Sequence, residues 1–69
     1  MSAYQDRVRQ ERNELHLRYK TLTAFFQTDE FNNLPQFERS MLSRQHLAMT
    51  QYLDVLDERV SYFNMINSK

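Results

Sequence analysis

The sequence has no cysteine, no glycine and no tryptophan, and a single proline, Pro35. Without cysteine the chain forms neither a disulfide nor a thiolate metal site, and nothing points to a secreted life. Without glycine it has no Gly-rich loop to cradle a phosphate. Excess charge is missing too: nine Lys+Arg balance nine Asp+Glu, so the broad cationic field of a non-specific DNA binder is absent. No apolar run is long enough to span a bilayer, and there is no pattern of basic start, apolar core and small-residue cleavage site. The expected location is cytoplasmic, with neither membrane nor nucleic acid as a partner. At 69 residues the chain is one domain, and domains this small usually need a disulfide, a metal or a partner subunit to hold them. With the first excluded, oligomerisation is the staple to expect.

What is present is helical periodicity. Only the stretch Phe25 to Pro35 can separate one long helical pattern from another. The spacing predicts a helix over 3–27, a turn over 28–34 and a second helix over 35–66 within a single domain, 1–69. Ser2 and Gln5 fit a capping box at the first helix start, and Asp6 suits its positive end. Arg7–Glu11 and Glu14–Arg18 are i,i+4 pairs. The apolar positions Tyr4, Val8, Leu15, Tyr19, Leu22 and Phe26 keep a 3-4 rhythm, with Arg12 in the slot between Val8 and Leu15. Thr28 followed by Asp29 and Glu30 reads as a fresh helix cap, so one short helical turn is expected there. Phe31 and Leu34 would then cap the core. Asn32 and Asn33 suit a left-handed exit, and Pro35 the first position of the next helix.

The second helix steps by 3 and 4 through Leu42, Gln45, Met49, Tyr52, Leu56, Arg59, Phe63 and Ile66. Met41, Ala48, Val55 and Tyr62 flank this line on one side; His46, Leu53 and Val60 flank it on the other. Two helices joined by a short connection pack antiparallel. The fold class is therefore all-α: an antiparallel two-helix hairpin with a short helical turn at the connection, assembling into a four-helix or larger oligomeric bundle. Folding at the turn sets Leu15 opposite Ala48–Met49, Arg12 beside Tyr52, and Tyr4 near Arg59. The second helix then overshoots the first, and Tyr62, Phe63 and Ile66, with Val60, form the expected oligomer interface.

Arg12, Gln45 and Arg59 fall in seam positions, with His16 and His46 beside them. The plain account is structural: Arg stems lie along apolar surface while Asp6, Glu11, Asp57 or Glu58 pair with the guanidinium. The sharper account is a ligand site. Arg12 and Arg59 with Tyr4, Tyr19 and Tyr52 supply what a phosphate-bearing heterocycle needs, since guanidinium grips phosphate and flat rings stack on bases. Two histidines with no cysteine or carboxylate companion make a weak metal case. Asp54, Asp57 and Glu58 fall on the solvent side, where a solvated face is the natural reading. With no activated nucleophile either, no enzyme and no cofactor are expected.

The pattern Gln5-x-Arg7-Val8, Glu11, Glu14-Leu15 and Leu22-x-Ala24-Phe25, the turn Phe31-x-x-Leu34-Pro35, and Leu42-x-x-Gln45, Met49-x-x-Tyr52-x-x-Val55-Leu56, Arg59-Val60 and Phe63 resemble a family of very short proteins of tailed phages and prophages. Its members are named by relation to a crAss-like phage protein. The resemblance covers about residues 5 to 63 and implies a phage origin. In size and helical character the chain also resembles the hairpins of anti-CBASS and anti-Thoeris nucleotide sponges. That resemblance implies an oligomer sequestering a cyclic-nucleotide or ADP-ribose-type immune signal, in the host cytoplasm. The alternative is an inhibitor or adaptor that binds a host protein through its exposed apolar helix surface. A nucleotide that raises the melting temperature favours the first; stoichiometric capture of a host protein favours the second.

Overall fold

The computed structural model describes residues 2–68. It consists of three helices in chain order: α1 (Ala3–Phe25), α2 (Asp29–Asn32) and α3 (Gln36–Asn67). Among the described residues there is no strand. The two long helices lie antiparallel in a rod of 52 × 16 × 15 Å. Neither is long and apolar enough to cross a membrane.

Local chemistry accounts for the helix ends. The Ser2 hydroxyl caps α1 by accepting from the Tyr4 amide at 3.2 Å. The expected return contact from Gln5 is replaced: Gln5 Oε1 accepts from Asn67 Nδ2 at 2.8 Å, tying the two chain ends together. With no glycine to reverse the chain, α1 closes through tightened turns, in which the Gln27 amide bonds Ala24 O and the Thr28 amide bonds Phe25 O, each at 3.0 Å. The first helix therefore ends at Phe25, two residues before the expected 27. Thr28 then serves both helices. Its hydroxyl donates to Phe25 O at 2.7 Å and accepts from the Phe31 amide at 3.2 Å. The short helical turn expected at Thr28 is thus present as α2.

Two expectations at the exit are corrected. Asn33 is right-handed, at φ −87°, and no described residue has positive φ. Pro35, at ψ 152°, caps α3 rather than joining it. Its carbonyl accepts the Arg39 amide at 3.1 Å, so an extended proline fixes the start without losing a bond. Phe31 packs edge-on against Phe25 and Phe26, with centroids 6.0 and 4.8 Å apart, plugging the turn end as expected. Thr28→Ala removes the contact that closes α1 and opens α2. It is expected to lower stability by about 1 kcal/mol, or roughly 4–8 °C in Tm, read by thermal unfolding.

The core is one layer deep. Val8 and Leu15 of α1 meet Leu53, Leu56 and Phe63 of α3, with Tyr19, Met49 and Val60 packed against them. The seam of α3 is rotated from the expected line. It runs through Leu42, His46, Met49, Leu53, Leu56, Val60 and Phe63, while Gln45 and Tyr52 are exposed. The rotation exchanges Gln45, Tyr52 and Arg59 for His46, Leu53 and Val60, and the apolar Leu53 and Val60 gain more from leaving water.

The register is corrected as well. Arg12 meets Asp57 rather than Tyr52, Arg9 meets Asn64 and Gln5 meets Asn67. The helices are nearly flush at the open end, so no overhang is left. Phe63, expected on that overhang, is 7% exposed inside the hairpin, and Val60 is partly buried beside it. Tyr62 and Ile66 remain exposed.

Candidate functional site

The two long helices leave an open groove on each side of their seam. The first is lined by Tyr4, Val55, Glu58, Arg59, Tyr62 and Phe63 and has a volume of about 490 Å³. Its floor is Phe63, whose ring meets Tyr4 edge-on at 6.0 Å and lies 6.5 Å from Tyr62. Arg59 Nη2 donates to the Tyr4 hydroxyl. The Arg59 guanidinium carbon lies 5.5 Å from the Tyr4 ring centroid, within cation–π reach. Tyr4, Tyr62 and Val55 are each about half exposed, so a flat guest has apolar surface and ring to lie on. Arg59 makes no ion pair among the described residues. Its guanidinium is held in place by a tyrosine hydroxyl rather than by a carboxylate.

The second groove, of about 420 Å³, carries Arg9, Arg12, Asn13, Asp57, Ser61 and Asn64. Here the cations are committed. Arg12 Nε binds Asp57 Oδ1 at 2.6 Å and its Nη1 donates to Asn13 at 3.3 Å. Arg9 Nη2 donates to Asn64 Oδ1 at 3.1 Å, its Nη1 lies 3.7 Å from Asp6, and its guanidinium carbon is 5.8 Å from the Phe63 centroid. Arg12 thus has the salt partner that its structural reading requires.

The five residues that composition suggested for a ligand do not converge. Tyr4 and Arg59 share the first groove, and Arg12 lies in the second. Tyr19 is within the seam, stacked on His46 at 4.7 Å and 21°. His46 is further fixed by Phe26, edge-on at 5.1 Å, and by Thr23 Oγ1, 2.9 Å from its Nε2. Tyr52 is exposed on the same flank of α3 as Val55 and Arg59, beyond the groove. Sequence reasoning missed Arg9, although its spacing of three from Arg12 puts both on one helix face. It also missed a shallow hollow beside the turn where Arg39 and Arg44 flank Ser40 and Ser43.

Comparison with known proteins gives this shape a context. A family model described as Sequestin matches residues 2–62. An uncharacterized 7.5 kDa protein from the denB–rIIB intergenic region of Enterobacteria phage T4 is 32% identical over 63 residues, covering 91% of this chain and 98% of the phage protein. No solved structure matches. Both grooves lie largely within the matched span. The T4 relative supports the phage origin implied by the resemblance over residues 5 to 63; neither match names a crAss-like phage.

Proposed function

The chain belongs to the Sequestin family, and from that premise we propose that it is a non-enzymatic phage accessory protein that binds and sequesters a small nucleotide immune signal as an oligomer. The observation that carries this reading is the Tyr4–Arg59 pair. It places an arginine with no carboxylate partner among the described residues beside a half-exposed ring, on an apolar floor, in a groove of nucleotide size. Guanidinium supplies the phosphate contact, and Tyr4 and Tyr62 supply faces for a base. The family's name points the same way, and so does the small phage relative. Sequestration needs only affinity, and nothing in the groove has to turn over.

Thermal unfolding with cyclic di-AMP, cyclic di-GMP and cyclic ADP-ribose tests the proposal. A bound member of the panel at a hundred times its Kd stabilises by about 2.7 kcal/mol, on the order of 10 °C for a domain this size. Arg59→Ala and Tyr4→Ala are expected to abolish the shift and keep the helical circular dichroism. Arg12→Ala, in the opposite groove, is expected to keep the shift. A panel with no shift sinks the reading, and a shift lost only in Arg12→Ala moves the site to the other groove.

A further inference from the structure

We propose that α3 pairs antiparallel with α3 of a second copy, about a two-fold axis at Gln51. Two observations carry this, and neither depends on a nucleotide being bound. The first is area. The chain exposes 5390 Å². A compact monomer of 8.5 kDa is expected to expose about 4,700 Å², and the 52 × 16 × 15 Å rod exposes roughly 700 Å² more, surface that side-by-side pairing of two rods can cover. That is close to the roughly 800 Å² per partner of a standard interface.

The second is the pattern of what is exposed. The flank of α3 that borders the groove carries its own 3-4 line: Ala48, Tyr52, Val55, Arg59, Tyr62 and Ile66. Tyr52, Val55, Tyr62 and Ile66 are 39–55% exposed. This line has heptad spacing, the pattern of a helix–helix seam. Beside it runs a strict seven-residue line, Phe37, Arg44, Gln51, Glu58 and Met65, every member exposed.

That second line reads the same from either end. Arg44 and Glu58 stand equally far from Gln51 with opposite charge, and Phe37 and Met65 stand equally far and are both apolar. An antiparallel second copy therefore sets Arg44 against the partner's Glu58 and Phe37 against the partner's Met65, at both ends of the axis. A parallel copy would set Arg44 against Arg44 and Glu58 against Glu58. The self-complementarity selects another copy of this chain in antiparallel orientation. It also completes the groove described above: Glu58 lines it, so the partner's Arg44 arrives at its rim beside Arg59.

Sedimentation equilibrium without nucleotide, with charge variants, tests the interface. The parent chain is expected at twice its mass, or at an even multiple if dimers associate further. Arg44→Glu alone and Glu58→Arg alone each create two like-charge contacts and are expected to weaken assembly about tenfold or more. The double variant restores both contacts and is expected within about threefold of the parent. A short bis-maleimide should join Gln51→Cys chains and leave Leu17→Cys chains single; Leu17 is exposed on α1. A monomer at all concentrations overturns the proposal, as does a dimer that the double variant fails to restore or that Gln51→Cys fails to cross-link. Because no nucleotide is present, these outcomes are separate from any failure of ligand binding.

Discussion

Leu56→Ala is expected to leave the chain largely unfolded. Leu56 is the one described side chain with no exposed surface, at the centre of a core holding only four other buried residues. Truncating a buried leucine removes the transfer energy of the lost atoms and leaves a cavity, together about 2–5 kcal/mol. A single core in a chain of this length supplies about 3–5 kcal/mol in total, so the loss is comparable to the whole. Far-UV circular dichroism should fall from strongly helical toward coil at low micromolar concentration. Leu56→Met conserves volume and should cost less than about 1.5 kcal/mol. Leu17→Ala, at an exposed leucine of α1, should stay within about 0.5 kcal/mol of the parent. Equal effects at Leu17 and Leu56 would mean that the helices do not meet along the Val8–Leu56 line.

The hairpin was legible because helix, turn and helix carry separate signals that agree. Thr28, two acids, Phe31 and Pro35 each have a local reason to be where they are, and each occupies the turn. The rotation of α3 was less legible for a physical reason. Two 3-4 lines run side by side on this helix and share Leu42, Met49, Leu56 and Phe63. Periodicity fixes the shared residues and leaves the choice of flank open. Burial decides it, since Leu53 and Val60 gain from water exclusion what Gln45 and Arg59 would lose.

Register follows from contacts that no local pattern encodes. Phe63 is sheltered only if it slides under Tyr4 and Arg9, and that slide draws Arg12 past Tyr52 to Asp57. Of the candidate site, the Tyr4–Arg59 meeting was legible because the long Arg59 side chain still reaches Tyr4 after the slip. The grouping of Arg12, Tyr19 and Tyr52 with them was not. It rested on residue type, and the helix geometry sends the three to different faces.

Phe63→Ala is expected to destabilise the hairpin by about 3–5 kcal/mol, by an amount that does not depend on protein concentration. Phe63 is buried within its own chain, edge-on to Tyr4 and 5.8 Å from the Arg9 guanidinium carbon. Dilution of an oligomer lowers the stability of parent and variant alike, whereas an intrachain loss stays as a constant offset between them. Denaturant unfolding at two concentrations a hundredfold apart reads the difference. An offset that vanished on dilution would return Phe63 to the interface between copies. The same residue links fold to site, because its ring is the surface on which Tyr4 rests. Phe63→Leu keeps the core filled with an apolar side chain and removes the edge-on partner of Tyr4. It should therefore retain most of the helix content and reduce the nucleotide-induced rise in Tm. If the rise were undiminished in Phe63→Leu and still lost in Tyr4→Ala, the tyrosine would hold its position through Arg59 alone.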